Sequence, residues 1–336
     1  MSQRPGRGPL VVVGDALLDR DLVGRSRRLS PDATVPVVEE VTEQARPGGA
    51  GLAALLAARD GRDVVLVTAL AGDDAGRALQ ALLDAELTVA AGVWSGSTTQ
   101  KVRVRAGQQP LLRIDFGDDG GALTGGTEAM CRAIAAAGAV LVADYGRGVA
   151  ADPAVRAALA GRVGTVPVVW DPHPRGARPV AGVSVATPNL AEARLFAAAC
   201  APPAATPAEP QPASEPSDPA SAARSCAAVL RRAWSAEAVV VTLSERGALL
   251  DAGGEPALLP PPAARHGDPC GAGDRFSASV TGGLLDGASL PDAVRHAVAV
   301  AAGYVGSGGP ADLYPAVPAN DVHRVASQPR AVRSAS

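Results

Sequence analysis

The chain has 336 residues, and its 34 acidic and 31 basic side chains give a formal net charge of −3 at pH 7. This length is enough to bury one large core, and a chain without a basic excess is not expected to bind nucleic acid. The apolar run Leu10–Val13 is too short for a signal peptide or a membrane span, so we expect a cytoplasmic protein with no membrane partner.

The first part of the chain predicts two strands. Leu10–Val13 is a valine-rich run that ends at Gly14, which is typical of a buried strand leading into a loop. Asp15 and Asp19 follow; they would share a face if this segment is helical, or line a cleft together at the end of the strand. The second β-prone run, Thr34–Val41, contains a proline, which favours an edge strand or an exposed lid.

A glycine-rich segment, PGGAG, precedes a helix rich in alanine and leucine. Its Gly49-x-Gly51-x-x-Ala54 spacing matches a dinucleotide-binding fingerprint, in which the glycines directly follow a buried strand. The polar stretch EQARP intervenes here, so the pattern disfavours dinucleotide binding. The alternative is that Gly48 and Gly49 start a helix beside a ligand of another kind.

The alternating stretch TTQKVRVR, residues 98–105, predicts a half-buried strand that carries Lys101 and Arg103, with residues 111–116 as its hairpin partner. Lys101 is the only lysine in the sequence. Because lysine is a compact point charge and arginine is a planar fork, a site that requires the former does not always accept the latter. A neutral surface position would equally explain Lys101, so both interpretations stay open.

Short apolar strands and helical stretches alternate along the rest of the chain. This alternation is typical of an α/β protein with a parallel sheet, whose ligand cleft lies at the carboxyl ends of the strands. Residues 201–219 contain seven prolines, and we expect a disordered surface insertion there, because the alternation resumes afterwards. A loose tail is expected over residues 319–336. The predicted strands are 64–69, 139–143, 168–170, 183–187 and 238–243.

The stretch DPCGAGDRF, residues 268–276, carries the strongest chemical signal. Gly271, Ala272 and Gly273 are small enough for their backbone N–H groups to turn toward one point at the start of the following helix, where an anion is favoured. Asp274 would repel a resting phosphate, but it is suited to take a proton from a hydroxyl while those N–H groups hold the charge of a transferred phosphoryl group. The alternative is an ordinary glycine-rich helix start with an acidic first turn.

Four motifs in this order, GDALLD, PGGAG, TPNLAEA and DPCGAGD, resemble the PfkB/ribokinase family of carbohydrate kinases over residues 8–315. Longer matches, among them SPDATVPVVEE, TTQKVRV, QQPLLRIDFGDD and ADYGRG, are similar to the kinase module of the bifunctional heptose 7-phosphate kinases and heptose 1-phosphate adenylyltransferases. No counterpart of the adenylyltransferase half follows in this sequence, so we expect a stand-alone kinase.

The resemblance implies a ribokinase-like, three-layer α/β/α fold with a central, mostly parallel sheet and a small β-lid. The kinase domain would cover residues 8–318, with lid segments at about 33–43 and 97–117. In the heptose kinases this module phosphorylates D-glycero-β-D-manno-heptose 7-phosphate at O1, so the resemblance implies a sugar phosphate acceptor, with ATP and Mg²⁺. It also implies a homodimer formed through the lids.

The resemblance also assigns roles to individual residues. Asp274 would be the base that takes the proton of the acceptor hydroxyl, a contribution of about 10²–10⁴ in rate. The backbone N–H groups of Gly271, Ala272 and Gly273 would hold the γ-phosphoryl charge. The residues that would contact the sugar or its phosphate are Asp15, Asp19, Gly48, Gly49, Lys101 and Arg103.

On the nucleotide side, Asn189 and Glu192 resemble the family's N-x-x-E element, which organises Mg²⁺ near the phosphates, with Glu192 acting through water. Asn189 also suits a helix N-cap, and the two roles are compatible. Thr242, Ser244 and Gly247 match the loop that contacts the nucleotide in the family.

Several sugar-side positions depart from the heptose kinases. Leu52 stands where the family has an asparagine that touches the sugar, Cys270 replaces a threonine, and residues 21–23 lack the family's aromatic side chains. His173 replaces the lysine of a D-P-K element, and histidine is mostly neutral at pH 7. Two alternatives therefore stay open: a kinase of another sugar, sugar phosphate or nucleoside, and a catalytically inert module that binds a sugar or a nucleotide.

Overall fold

A computed structural model describes residues 8–107, 109–117, 120–200, 218–263, 265–314 and 317–318. Within these ranges the chain forms eight α-helices and fifteen strands. The helices are α1 (Ala50–Arg59), α2 (Asp74–Asp84), α3 (Thr127–Ala135), α4 (Pro153–Ala160), α5 (Leu190–Cys200), α6 (Pro219–Ala233), α7 (Ala272–Leu285) and α8 (Leu290–Gly306). The strands are β1 (Leu10–Gly14), β2 (Ala16–Leu29), β3 (Pro36–Gly49), β4 (Val64–Ala71), β5 (Thr88–Trp94), β6 (Gln100–Ala106), β7 (Gln109–Phe116), β8 (Leu123–Gly125), β9 (Ala139–Ala143), β10 (Val168–Asp171), β11 (Val185–Ala186), β12 (Ala238–Thr242), β13 (Ala248–Asp251), β14 (Ala257–Leu259) and β15 (Val317–Pro318).

Ten strands form the central sheet, in the order β14-β13-β12-β11-β10-β9-β1-β4-β5-β8. The strands from β12 to β5 in that order run parallel, and β13, β14 and β8 are antiparallel additions at the two edges. From β1 the chain builds the sheet toward β5, and from β9 it builds the sheet toward β12. The switch in direction therefore falls beside β1, which is where ligands bind in open α/β sheets.

Two helical layers cover the two faces of this sheet. Successive residues of β1 point to opposite sides, so Val11 and Val13 join the core formed with α3, α4, α5 and α6. Leu10 and Val12 join the core formed with α1, α2, α7 and α8. Both faces of the parallel strands are buried, which explains their continuous apolar sequences. The three-layer α/β/α architecture predicted from the sequence is confirmed.

A second sheet of five strands, β15-β3-β2-β6-β7, forms the lid. It is larger than the predicted segments 33–43 and 97–117, because residues 16–29 also form a long strand, β2, which pairs with β3 and β6. This arginine-rich segment is stabilised by charges paired across strands, for example Arg28 with Glu39 at 3.0 Å. Because these stabilising residues are charged, the segment lacks the apolar alternation by which a half-buried strand is identified in a sequence.

Two expectations for the N-terminal third need correction. The helical alternative for Asp15 and Asp19 is wrong, because Asp15 lies between β1 and β2 and Asp19 lies within β2. The polar stretch EQARP does not separate a strand from the glycines, since β3 runs directly into α1. However, β3 belongs to the lid and not to the parallel sheet, so the glycines still do not form the strand–turn–helix unit of a dinucleotide site.

The predicted insertion at residues 201–219 extends too far at its end. Pro219 begins α6, and Asp218 caps that helix by accepting hydrogen bonds from two backbone N–H groups. Residues 201–217 and the predicted tail, residues 319–336, lie outside the described residues. None of the helices in the described ranges has both the length and the apolar character that crossing a bilayer requires.

We expect Leu141→Ala in β9 to destabilise the protein strongly. Leu141 is fully buried beside Val12 and Val169, and truncation of such a leucine costs about 2–5 kcal/mol. Leu195→Ala in α5 is the matched control, because Leu195 is 53% exposed and the change should stay within about 0.5 kcal/mol. Urea unfolding followed by circular dichroism measures both variants, and equal midpoints would contradict the burial of Leu141.

Candidate active site

Carboxylates gather at the carboxyl ends of the central strands. Asp15 follows β1, Asp144 follows β9, and Asp171 ends β10. The turn before α7 brings Asp274 to the same edge. Burial, followed by the charge of Asp274, raises the pKa of Asp171. The cleft between this edge of the sheet and the lid is therefore the candidate active site.

The backbone at the start of α7 forms an anion-binding turn. Gly271 precedes the helix with φ 76°, a left-handed conformation that glycine adopts without strain. Among the described residues, no acceptor binds the backbone N–H groups of Gly271, Gly273 and Asp274. Open donors at a helix N-terminus suit a phosphate or a developing negative charge.

The expectation for Ala272 needs correction. Its N–H donates to the Pro269 carbonyl oxygen at 3.0 Å, so it closes the turn and does not point to the cleft. The N–H of Asp274 supplies the third open donor instead. The sequence identifies the turn. Which of its backbone N–H groups remain open depends on the hydrogen bond that closes the turn before α7, and the sequence does not show that bond.

Asp274 lies in the first turn of α7 and is 5% exposed. Its Oδ1 accepts a hydrogen bond from the Tyr145 hydroxyl at 2.7 Å. Burial raises the pKa of Asp274 to about 7, although the Tyr145 hydrogen bond and the charge of Lys101 act in the opposite direction. A carboxyl group that titrates near neutral pH beside an anion-binding turn is suited to accept a proton from a hydroxyl group.

The inner face of the lid presents two cations to this turn. Lys101 and Arg103 of β6 pair in register with Asp19 and Asp21 of β2. Arg103 Nη1 lies 3.4 Å from Asp19 Oδ2, and Arg103 Nη2 lies 3.4 Å from Cys270 Sγ. Both predicted cations thus reach the active-site cleft, and Arg103 lies next to the residue that precedes the anion-binding turn.

Asp19 is 4% exposed, and its Oδ1 has no hydrogen-bond partner among the described residues. The Oδ2 atom lies 3.7 Å from Arg46 Nη2. A Cβ atom at Gly48 would lie 2.8 Å from the Asp19 carboxyl carbon, so the space left by this glycine is filled by Asp19. Gly48 therefore lets β3 pass the carboxylate, and Gly49 is the residue that precedes α1.

Asp15 has an anchoring role that the sequence does not predict. Its Oδ2 accepts hydrogen bonds from the backbone N–H groups of Tyr145 and Arg147 at 3.1 and 3.0 Å, and its Oδ1 accepts one from Val149 at 3.1 Å. Asp15 is buried, and burial raises its pKa against the effect of these bonds. It fixes the loop after β9, while its contact with a sugar stays a prediction.

A cleft of about 480 Å³ lies on the other side of the anion-binding turn. The predicted nucleotide residues Asn189, Thr242, Ser244 and Gly247 line it, together with residues 272–273 of the turn. Small apolar side chains of α8, which suit a flat base, form another wall: Val298, Ala301, Ala302 and Val305.

Asn189 and Glu192 form a reciprocal cap at the start of α5. Glu192 N–H donates to Asn189 Oδ1 at 3.0 Å, and Asn189 N–H donates to Glu192 Oε2 at 2.9 Å. The helix-capping role of Asn189 is therefore confirmed. The described residues contain no group of three metal-binding side chains, so the Glu192 carboxylate is the candidate ligand here. This donor set fits a Mg²⁺ ion held through water, because Mg²⁺ prefers carboxylate oxygens and keeps several waters.

The sequence did not single out Tyr145 as a site residue. The available signal was its position two residues after the end of a buried parallel strand, where ligand-binding residues gather. The ring of His173 stacks on Tyr145 with centroids 6.1 Å apart. Burial, followed by the charge of Arg175, lowers the pKa of His173 to about 4. His173 is therefore neutral at pH 7 and does not replace the family's lysine as a cation.

A comparison with protein families assigns the chain to a family. Residues 9–317 match the model of the pfkB family of carbohydrate kinases. The chain belongs to this family. Membership confirms the predicted carbohydrate kinase class.

Curated relatives of this pfkB family chain include two proteins named Bifunctional protein HldE. The one from Streptomyces coelicolor is 50% identical over 316 residues, which are 94% of this chain and 64% of that protein. The one from Caulobacter vibrioides is 34% identical over 297 residues, which are 86% of this chain and 58% of that protein. The chain thus spans less than two thirds of the length of these relatives.

Solved structures with the same fold include two kinases. The tetrameric inhibited form of phosphofructokinase-2 from Escherichia coli has a TM-score of 0.65 and 17% identity, covering 96% of this chain and 98% of that one. Arabidopsis thaliana ribokinase complexed with ribose and ATP has a TM-score of 0.63 and 22% identity, covering 96% and 100%. At these identities the likeness establishes the fold, which is ribokinase-like as predicted.

Asp274→Asn should remove activity and increase stability. We expect turnover to fall about 10²–10⁴-fold, because the amide cannot accept the proton. The folded-state pKa of about 7 lies above the ordinary value of 3.8, so the native protein loses stability as pH rises from about 4 to about 7. The asparagine variant escapes this loss, and its Tm advantage should grow through that window.

Calorimetry of both proteins across this pH range measures the effect. Asp292→Asn is the control: bonds from Ser289 and Arg295 lower the pKa of the exposed Asp292, so its ionisation changes stability only below pH about 4 and its Tm difference should stay constant across this window. A Tm difference for Asp274→Asn that does not change with pH would contradict a raised pKa at Asp274.

Proposed function

We propose that this chain transfers the γ-phosphoryl group of ATP to O1 of D-glycero-β-D-manno-heptose 7-phosphate, as a cytoplasmic step of ADP-heptose synthesis. The observation that carries the proposal is the buried Asp274 carboxylate beside the open N–H groups of residues 271, 273 and 274. The sequence motifs shared with heptose 7-phosphate kinases, and the relatives named HldE, support the choice of acceptor.

In the proposed reaction, Asp274 takes the proton of the acceptor hydroxyl while that oxygen attacks the γ-phosphorus. The new O–P bond forms as the bond to the β,γ-bridging oxygen breaks, and ADP leaves with that electron pair. The N–H groups of Gly271, Gly273 and Asp274 stabilise the charge on the transferred group. When bound, Mg²⁺ supplies charge neutralisation at the nucleotide phosphates, and Glu192 would hold it through water.

The charges of the lid support an anionic acceptor. Arg103 of β6 lies directly opposite Arg113 of β7, and like charges in such a pair are destabilising. Asp115 compensates Arg113 at 2.7 Å and Asp19 lies 3.4 Å from Arg103, but Lys101 adds a further cation to the same face. A phosphate group bound at this face would offset the remaining repulsion.

The sugar hydroxyls have a candidate partner in Asp19. Its Oδ1 lacks a donor among the described residues, and a buried carboxylate oxygen without a partner is costly. A sugar hydroxyl would supply that donor. Asp15, whose two oxygens already accept three backbone N–H groups, is the weaker candidate for this contact.

A second candidate is a kinase of another sugar phosphate. Leu52 is 2% exposed and packs against Leu56 and Tyr304, so it offers no polar atom where the heptose kinases have a sugar-binding asparagine. An acceptor with one fewer hydroxyl at that point would suit this surface better.

An acceptor panel tests the proposal through ADP release. We expect kcat/KM for heptose 7-phosphate to exceed that for unphosphorylated heptose, ribose, fructose 6-phosphate and adenosine by about tenfold or more, since tenfold corresponds to about 1.4 kcal/mol. Faster turnover of fructose 6-phosphate would favour the second candidate. No turnover with any acceptor would leave only the inert binding module.

Removal of the lid cation should weaken use of a phosphorylated acceptor. We expect Arg103→Met to lower kcat/KM about 10–100-fold, because a hydrogen bond to a charged group contributes about 1.5–3 kcal/mol. Arg28→Met is the matched control, since Arg28 belongs to the same lid but pairs with Glu39 at an exposed position. Equal activity of the two variants would contradict a role for Arg103 at the acceptor.

We also propose a homodimer formed through the lids. The outer face of β7 exposes Leu112, Ile114 and Phe116 by 56, 38 and 48%, and a second lid would bury them. Leu112→Glu combined with Ile114→Glu should shift sedimentation from dimer to monomer, whereas Leu258→Glu on β14, 46% exposed, should not. A native protein that sediments as a monomer would contradict the proposal.

A further inference from the structure

Tyr145 links the sheet edge directly to the base of the proposed reaction. Its hydroxyl donates to Asp274 Oδ1 at 2.7 Å, a short hydrogen bond to a carboxylate. Burial, followed by the charge of Asp274, raises the pKa of Tyr145 well above its ordinary value. The hydroxyl therefore stays protonated and remains a donor at neutral pH.

The position of Tyr145 is fixed from several sides. Its backbone N–H donates to Asp15 Oδ2 at 3.1 Å. Its ring stacks against His173, and Lys101 Nζ lies 5.1 Å from the ring centroid. These contacts come from the residue after β1, from β6 and from the loop after β10, so the hydroxyl has little freedom to leave Asp274.

We infer that Tyr145 is a positioning residue whose hydroxyl holds Asp274 Oδ1, so that Oδ2 is left to face the acceptor hydroxyl. The inference rests on the proposed function, because it needs Asp274 as the base. It also gives Asp15 a part in the reaction: Asp15 holds the loop that carries Tyr145, and Tyr145 holds the base.

The hydroxyl also favours the ionised form of Asp274. A carboxylate that accepts a hydrogen bond is stabilised relative to the protonated group, and the Tyr145 bond is the largest influence that lowers the pKa of Asp274 against its burial. The other titratable groups that face Asp274 are Lys101 of β6, Asp19 of β2, Asp171 of β10 and Tyr304 of α8.

Tyr145→Phe tests the inference by removing only the hydroxyl. We expect the acid limb of the pH profile of kcat/KM to move up by about one unit, a typical effect of one such hydrogen bond. The variant should therefore be about tenfold slower at a pH below the limb and recover most of this loss at high pH. The KM for ATP should not change, because Tyr145 does not line the nucleotide cleft.

Thr124→Val is the matched control, since it also removes a single hydroxyl, which donates to the Val93 carbonyl oxygen at 3.2 Å in the sheet-edge strand β8, away from the candidate site. Its pH profile should coincide with that of the native protein. A rate loss in Tyr145→Phe that is the same at every pH would show a merely structural role and overturn the inference. An unchanged profile would overturn it as well.

A second readout does not depend on the acceptor. The Tm difference between Tyr145→Phe and the double variant Tyr145→Phe, Asp274→Asn reports the pKa of Asp274 in the absence of the hydroxyl. We expect this difference to keep growing to a higher pH than the difference between the native protein and Asp274→Asn. Coincident curves would overturn the inference, even if heptose 7-phosphate proves not to be the acceptor.

Discussion

The candidate site depends on one constraint: a buried carboxylate, Asp274, must stay beside backbone N–H groups that favour negative charge. Burial alone would keep Asp274 protonated, while the Tyr145 hydroxyl and the charge of Lys101 favour the ionised form, and the balance gives a pKa of about 7. The parallel sheet makes this balance possible, because the carboxyl ends of its strands bring Asp15, Tyr145 and the turn before α7 to one edge. A carboxylate of this kind is poised to exchange a proton near neutral pH.

The lid is joined to the same turn and is not an independent cover. Along β6, alternate residues face the segment before α7: Arg103 lies 3.4 Å from Cys270 Sγ, and Arg105 lies 3.4 Å from Asp268 Oδ2. The other oxygen of Asp268 accepts the Cys270 N–H at 2.9 Å. Asp268 thus connects a lid arginine to the backbone that leads into the anion-binding turn, so the position of the lid and the presentation of the N–H groups are physically coupled.

The sequence predicts what local chemistry determines. The buried strands, the glycine turn and Asp274 follow from short patterns, and the family match confirms the class of enzyme that those patterns indicate. The extent of the lid was not predictable, because charges that pair across to β3 stabilise β2, and β2 has no apolar alternation of its own that would identify it as a strand. The roles of Asp15 and Tyr145 depend on contacts across 130 and 129 positions of the chain. No periodicity in a single sequence carries that information.

The central claim is that the turn before α7 and Asp274 act together on a transferred phosphoryl group. A crystal structure with ADP, aluminium fluoride and the preferred acceptor tests it most directly, because the fluoride mimics that group. We predict the N–H groups of Gly271, Gly273 and Asp274 at about 3 Å from the fluoride, with the acceptor oxygen within hydrogen-bonding reach of the Asp274 carboxylate. Fluoride bound away from this turn, or an acceptor oxygen out of reach of Asp274, would contradict the account.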